Sequence, residues 1–343
     1  MREAFGATFT GPEGYLNTPA YGLPPRVTVD AVERVHRGWA AGTVTGADFD
    51  ADIAAGREAF ARIAGVPVAS VTMGASVAAL LGPVASCLND GARVLVPEGE
   101  FTSVSFPFAA HHGRDVTVTE VPLDRLVEAA PDHDVVAVST VQSADGARVD
   151  LAALRAATEG SDTIVILDAT QQLGWLSLDL AWADVVVSST YKWLLSPTGI
   201  AWAAYSDRLL DRIVPHHANR YAGGAPWDTT YGLPLRLTDD ARRFDISPAW
   251  FPVVGAAASL TWIASLDIDA VTAHCLGLAD RARTALGLPP GASPIVSISI
   301  EHAAIRLQEA GLRASVRQGA ARVGFALYNT EDDLDRVVEA LNA

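Results

Sequence analysis

A length of 343 residues, half of them hydrophobic, allows one large α/β domain with a smaller appendage, or two domains. The net charge of -15 argues against nucleic acid or an anionic membrane as the main partner. No apolar run reaches the roughly 18 residues of a membrane span, and two cysteines, Cys87 and Cys275, exclude a disulfide scaffold and a Cys-rich zinc module. No secretory signal is visible at the N-terminus, so we expect a cytoplasmic protein.

Apolar runs alternate with helical stretches over the first two thirds of the chain. The predicted strands are Arg93–Val96, Val116–Val118, Val135–Ser139, Thr163–Asp168, Asp184–Ser189 and Ile200–Tyr205. The predicted helices lie at about 47–64, 76–89, 150–158 and 206–213. Several strands are continuous β-branched runs, the pattern of strands buried on both faces of a mostly parallel sheet. We therefore predict an α/β fold, a three-layer sandwich.

Residues 213–250 break this alternation, because they combine glycines and prolines with aromatic residues. Such a loop is typical of a functional or subunit-contacting segment. Beyond it the sequence predicts helices at 251–266 and 268–286, strands at Ile295–Ile300, Ala314–Arg317 and Arg322–Leu327, and a last helix capped by Thr330. We expect a large domain over 21–250, a small α+β domain over 251–343, and an N-terminal segment, 1–20, packing with the small domain.

Lys192 is the only lysine in the chain, beside 24 arginines. A GC-rich genome would explain the bias, and a surface charge is one interpretation of the residue that remains. The other interpretation is chemical: a lysine amine can lose its proton and form an imine, whereas arginine stays charged.

Asp168 and Lys192 follow two successive predicted strands, so their side chains emerge at the same edge of a parallel sheet. An amine and an acid in these positions can flank one flat ring. Pyridoxal phosphate needs this pair, a lysine to hold its aldehyde and an acid to keep its pyridine nitrogen protonated. The plainer interpretation of Asp168 is a loop N-cap.

The motif around these residues resembles that of a known family. Asp168 and Gln171, then Ser189 to Trp193, then Pro197 and Gly199, resemble the class V aminotransferase and cysteine desulfurase family, which are pyridoxal phosphate enzymes of fold type I. The resemblance extends to an opening strand at Tyr15–Thr18, a phosphate loop at Gly74–Ser76 and a closing strand that begins at Arg322.

The resemblance implies a role for each matching residue. Lys192 would bind the cofactor, Asp168 would pair with its pyridine nitrogen, and Gln171 would bind its ring hydroxyl. Ala75 and Ser76, at the start of a helix, would bind the phosphate, with hydroxyls of Ser189 and Tyr191 adding donors. Further roles fall on Thr140 near the cofactor, Ser247 reaching a partner subunit's phosphate, and Arg322 or Arg317 on the substrate carboxylate. A structural pair between Arg243 and Asp245 is the alternative interpretation of the Ser247 region.

Two departures from the family narrow the expected reaction. Phe101 stands where many desulfurases have a histidine; it can stack on the ring but cannot relay a proton, although core packing is its plainer interpretation. The mobile loop with a nucleophilic cysteine is missing, since only four residues separate Arg317 from Arg322. The sequence therefore favours transamination or β-elimination of the C–S lyase type over persulfide formation.

Other functions remain as alternatives. They are cysteine desulfurase-like or epimerase activity, and a regulatory or binding protein that kept the fold and lost catalysis. No metal site and no nucleotide-binding motif is expected. The expected partners are a small amino acid as substrate and a second copy of the chain in a homodimer.

Overall fold

The computed structural model describes residues 1–11 and 13–342. Its strands are β1 (Arg2–Ala4), β2 (Ala7–Phe9), β3 (Val71–Gly74), β4 (Arg93–Pro97), β5 (Thr117–Val121), β6 (Val135–Ser139), β7 (Ile164–Asp168), β8 (Val185–Ser189), β9 (Ala201–Tyr205), β10 (Ile295–Ile298), β11 (Ser315–Arg317) and β12 (Ala320–Gly324). Its helices are α1 (Arg26–Ala40), α2 (Asp50–Ala64), α3 (Val77–Ser86), α4 (Thr102–Ala109), α5 (Leu126–Ala129), α6 (Leu151–Thr158), α7 (Asp207–Leu210), α8 (Trp250–Ile263), α9 (Ile268–Ala285), α10 (Ala303–Glu309) and α11 (Glu331–Asn342).

A seven-stranded sheet with the order β3-β9-β8-β7-β6-β4-β5 forms the centre of the molecule. In this order, the five strands β8, β7, β6, β4 and β5 each pair in parallel with their neighbours. Strand β9 pairs antiparallel with both β8 and β3. Strand β9 therefore runs opposite to the other six. The carboxyl ends of those six strands meet at one edge, which is where ligands bind in open α/β sheets.

Helices cover both faces of this sheet, because alternate residues of each strand belong to two different cores. In β6, Val135 and Ala137 pack with α3 and α4, and Val136 and Val138 pack with residues of α2, α6 and α8 on the opposite face. Every residue of β6, β7, β8 and β9 is buried. The predicted three-layer sandwich with a mostly parallel sheet is confirmed.

A second, three-stranded antiparallel sheet, β10-β12-β11, lies in the C-terminal part and packs against α9, α10 and α11. Leu16 of the N-terminal segment is buried in the same core. The division at 20 and 250 stays a proposal, with one adjustment: α8 packs on α1 and α2 of the large domain. This packing favours a boundary after α8.

Some predicted elements differ from those in the structure. The segment Tyr15–Thr18 is not a strand; it makes two isolated bridges, from Tyr15 to Arg313 and from Asn17 to Gly324. The helix predicted at 206–213 is only the single turn α7, which ends at Leu210. The closing strand β12 begins at Ala320 and ends at Gly324.

Among the described residues, no single helix is long and apolar enough to cross a membrane. Only α8 and α9 taken together would reach the required length and composition, and they are bent by 92° at their junction.

Candidate active site

A cleft opens at the carboxyl edge of the large sheet. Residues from the ends of β6, β7 and β8, and from the segments that follow β3, β4, β6, β7 and β8, line this cleft. They are Ala75, Ser76, Val77, Phe101, Ser103, Ser139, Ser143, Asp168, Thr170, Gln171, Ser189, Tyr191, Lys192 and Thr198. Eight of the residues predicted from the sequence are thus brought together: Lys192, Asp168, Gln171, Ala75, Ser76, Phe101, Ser189 and Tyr191.

Lys192 is held in a tight loop after β8 and is only 5% exposed. Burial, together with the charges of Arg322 and Arg317, lowers the pKa of its amine to about 8, although Asp168 acts in the opposite direction. Gly22 packs so closely on this loop that a Cβ there would lie 2.0 Å from the Lys192 carbonyl oxygen. A larger residue at position 22 would therefore displace the lysine.

Phe101 covers the amine from the end of β4. The centroid of its ring lies 5.0 Å from Lys192 Nζ, and the ring is 41% exposed towards the cleft. This exposure does not fit core packing, the plainer interpretation of the residue. The ring supplies an apolar, polarisable surface beside the amine and carries no titratable proton.

Asp168 ends β7, the strand that neighbours β8, and is buried at the bottom of the cleft. Burial raises the pKa of its carboxyl to about 6, with a further contribution from the charge of Glu100, while hydrogen bonds from Thr170 and the charge of Lys192 lower it. Its Oδ1 accepts a hydrogen bond from the Thr170 N–H at 2.9 Å. A buried carboxylate whose ionisation is suppressed in this way favours a cationic partner.

Gln171 is fixed in one orientation by its neighbours. Its Oε1 accepts a hydrogen bond from the Trp193 indole at 2.7 Å, and its Nε2 donates to the Pro19 carbonyl at 2.9 Å and to Ser143 Oγ at 3.1 Å. Both amide hydrogens are therefore used. To make the predicted hydrogen bond to the ring hydroxyl of the cofactor, Gln171 must give up its hydrogen bond to Ser143.

Arg322 is 1% exposed and lies beside Ser143, which lines the cleft. Its Nη1 donates to the Ser143 carbonyl and, at 3.1 Å, to Ser143 Oγ, and its Nε donates to Ser315 Oγ at 3.2 Å. Nη2 is buried and has no partner among the described residues. Burial and the charge of Arg317 lower the guanidinium pKa to about 10. The group stays cationic at neutral pH and its unused donor favours an anion.

The cleft also contains the start of α3. Ser76 is the N-cap of this helix, and its hydroxyl accepts a hydrogen bond from the Ala79 N–H at 3.2 Å. The first backbone N–H groups of a helix attract anions. The hydroxyls of Ser189 and Tyr191 belong to the same cleft, and the Tyr191 ring stacks on Tyr21 with centroids 5.9 Å apart.

Two predicted site residues lie elsewhere. Thr140 is buried and does not line the cleft, but its N–H donates to the Asp168 carbonyl at 2.9 Å, so its place near the cofactor stays a prediction. Ser143, from the same loop, lines the cleft. Ser247 is exposed away from the cleft, so its predicted role across a subunit interface stays a prediction. The alternative interpretation of this region, an ion pair between Arg243 and Asp245, is wrong, because Asp245 pairs with Arg57 at 2.5 Å.

Two residues that the sequence did not single out are central to the site. Ser143 joins Gln171 to Arg322. Glu100 is buried and accepts four hydrogen bonds, from the Phe101 N–H, from the hydroxyl and N–H of Ser139, and from Gln142 Nε2, at 2.6 to 3.1 Å. It therefore ties the end of β4 to the end of β6. Its place in the loop after a predicted strand, directly before Phe101, was the only available signal.

In the described part of the chain, neither a metal-ligand cluster nor a cysteine lies at the cleft. In residues 1–11 and 13–342, no three His, Cys, Asp or Glu side chains gather in a way that could hold a metal ion. Cys87 and Cys275 are free, and burial raises the pKa of both thiols.

Comparison with known proteins assigns a family to this architecture. Residues 15–297 match the model of the family described as aminotransferase class-V. The chain belongs to this family. It is 26% identical to isopenicillin N epimerase of Streptomyces clavuligerus, over 84% of this chain and 83% of that protein.

Solved structures share the fold. The cysteine desulfurase CsdA from Escherichia coli superposes with a TM-score of 0.83 at 21% identity, covering 97% of this chain and 96% of that one. The cystine C–S lyase C-DES, in complex with its product cysteine persulfide, gives a TM-score of 0.83 at 18% identity, covering 96% and 97%. The family and the fold confirm the predicted class: this is a pyridoxal phosphate-dependent enzyme of fold type I.

Proposed function

We propose that this enzyme binds pyridoxal phosphate through Lys192 and acts on an amino acid by transamination or by β-elimination. One observation carries the proposal: a buried amine and a buried carboxylate, Lys192 and Asp168, lie at the ends of neighbouring strands in one cleft. Burying either charged group alone costs free energy. Together the two groups provide the nucleophile and the acid that this cofactor requires.

The residues present fit the cofactor. Lys192 would hold its aldehyde carbon, Asp168 its pyridine nitrogen, and the N-terminus of α3 with Ser189 and Tyr191 its phosphate. When bound, pyridoxal phosphate supplies a ring that accepts the electron pair released when a bond at the substrate Cα breaks. The ring of Phe101, beside the lysine amine, would keep water from that side of the cleft.

Lys192 is the residue suited to move the proton. A pKa of about 8 leaves part of the amine population unprotonated at neutral pH, so Nζ can accept a proton from the substrate Cα and return it later. Phe101 cannot share this work. A two-base epimerisation would need a second proton carrier, and Phe101 is not one.

Arg322 is the better of the two candidate arginines for the substrate carboxylate. It is buried, two serines fix its guanidinium, and Nη2 is free to donate. Arg317 is exposed and lies on β11, the strand that pairs with the strand of Arg322. A preorganised guanidinium loses little freedom when it binds a carboxylate.

A persulfide mechanism is disfavoured by the positions of both thiols. Cys87 follows the far end of α3, about 15 Å from the cleft end of a ten-residue helix. Cys275 is buried within α9. Neither residue lines the cleft, and the short turn between Arg317 and Arg322 contains no cysteine.

We further propose a cytoplasmic homodimer. Tyr231, Leu233 and Leu235 are 88%, 88% and 64% exposed on the segment 213–250, and Trp227 is also exposed nearby. Contiguous exposed apolar residues are typical of a protein interface.

Replacing Asp168 by Asn tests the proposed site. Asn retains the Oδ1 acceptor for the Thr170 N–H, so the fold should persist, but it cannot stabilise a protonated pyridine nitrogen. We expect cofactor binding, measured by equilibrium dialysis, to continue and turnover to fall by about 10²-fold or more. Turnover equal to wild type would make Asp168 a cap only. Scoring pyruvate and 2-oxo acids from a panel of amino acids would separate elimination from transamination.

A further inference from the structure

The hairpin formed by β11 and β12 directs two arginines to the same side of the small sheet. Ser315 pairs with Arg322 and Arg317 pairs with Ala320 across the two strands. Because directly opposed residues and alternate residues share a face, Arg317 lies on the face of Ser315 and Arg322. The Ser315 hydroxyl accepts a hydrogen bond from Arg322 Nε, so the side chains of Ser315 and Arg322 do lie on the same face.

The turn of this hairpin is short and extends to the cleft. Gln318 and Gly319 connect the strands with positive φ angles of 47° and 82°, a two-residue turn that glycine favours in its second position. A Cβ on Gly99 would lie 3.0 Å from Gln318 Nε2, so the turn touches the loop that leads to Phe101. Arg317, next to this turn, therefore lies near the loop that carries Phe101 into the cleft.

Arg317 adds a third positive charge to the site. Its charge lowers the pKa of both Lys192 and Arg322, so it acts on the two groups that the proposed function uses. Within residues 1–11 and 13–342 it has no acidic partner within 4.0 Å, and its Nη1 donates to the neighbouring Val316 carbonyl at 2.8 Å.

Lys192, Arg322 and Arg317 form a group of three cations whose charges act on one another, in a chain of net charge -15. Clustered like charges repel one another. Two acids oppose this repulsion: the charge of Asp168 acts on Lys192, and the charge of Glu100 acts on Asp168. One α-carboxylate would neutralise Arg322 and leave Arg317 without a counter-ion. A second anionic group on the same ligand would neutralise it, and a local positive potential also attracts anions to an otherwise acidic protein.

We propose that the substrate is an amino acid with an acidic side chain, whose distal carboxylate or similar oxyanion binds Arg317 while its α-carboxylate binds Arg322. This inference rests on the proposed function, because it assigns the second end of the same substrate. The planar guanidinium suits a two-point hydrogen bond with a carboxylate, which a neutral side chain would not provide.

Binding of simple acids to the holoenzyme tests this assignment. We expect calorimetry to show that glutarate binds at least tenfold more tightly than butyrate, which is glutarate without its distal carboxylate. Arg317→Gln should remove this preference. Arg313→Gln is the matched control, since this exposed arginine lies four residues earlier, beside Tyr15, and should retain the preference.

Turnover should follow the same pattern. In Arg317→Gln, kcat/KM for amino acids with acidic side chains should fall at least tenfold more than kcat/KM for neutral amino acids, mainly through KM. Equal binding of glutarate and butyrate by wild type, or a preference that survives in Arg317→Gln, would overturn the inference. If Lys192 carries the cofactor in that same sample, the proposed function stands; if it does not, both fail.

Discussion

Arg322 donates a hydrogen bond from Nη1 to the hydroxyl of Ser143 at 3.1 Å, across 179 residues of sequence. The same hydroxyl accepts a bond from Gln171, so one serine connects the residue expected to hold the substrate with a residue expected to hold the cofactor. The small sheet supplies Arg322, and the loop after β6 supplies Ser143. Substrate affinity should therefore depend on the loop of one domain and the strand of another.

Ser143→Ala should raise KM for the substrate about fivefold to tenfold, with a smaller change in kcat. The lost hydroxyl removes one acceptor from Arg322, and a hydrogen bond of this kind contributes about 1 kcal/mol. Steady-state kinetics checks the result. Ser161→Ala is the control, because this half-buried serine bonds the Thr158 carbonyl far from the cleft and should leave KM unchanged. An equal rise in both variants would contradict the role of Ser143.

Much of the large domain could be predicted because its sequence pattern is strong. The runs ending at Ser139, Asp168 and Ser189 are continuous, β-branched and fully buried, and the observed strands agree with the predicted ones within one residue. This agreement places Asp168 and Lys192 at one sheet edge. The single lysine then favoured a chemical role for this residue, with a surface charge as the alternative, before any geometry was known.

The elements that the sequence did not predict have weak local signals. Strand β3 has only four residues, and α1 has no capping side chain at its start, although its buried Thr28, Ala31 and Val35 keep a helical spacing. Helix α4 contains Pro107 and β-favouring residues, so packing rather than propensity determines it. The role of Ser143 was equally hidden, because its partner Arg322 is distant in sequence.

The pH dependence of stability should reveal the buried amine in the cofactor-free protein. The pKa of Lys192 is about 8 in the folded state and near its ordinary value of 10.5 when unfolded, so the unfolded state binds more protons between these values. Stability gained from this residue should therefore rise from pH 8 to pH 10.5. Relative to Lys192→Met, wild type should gain about 3 kcal/mol across this range.

Urea unfolding of both proteins at matched pH measures this difference. Other groups that titrate in the same range cancel in the comparison, since both proteins contain them. A difference in the free energy of unfolding that stays constant from pH 8 to pH 10.5 would show that the amine is solvated and not perturbed.

The exposed apolar segment should hold two subunits together. Leu233→Asp should shift the protein from dimer to monomer in sedimentation equilibrium, because a charge on this 88% exposed residue would be buried in the interface. Ile305→Asp, on the exposed side of α10, should leave the dimer intact. A wild-type monomer that binds the cofactor tightly would refute the proposed assembly.

The most direct test is to reduce the cofactor-loaded protein with borohydride and map the modified peptide. Reduction makes a reversible lysine–cofactor bond permanent, and Lys192 is the only lysine that can carry it. We predict one pyridoxyl group per chain on the peptide containing Tyr191, Lys192 and Trp193, and none in Lys192→Arg, which keeps the charge but not the nucleophile. Cofactor bound with Lys192 unmodified would contradict the account.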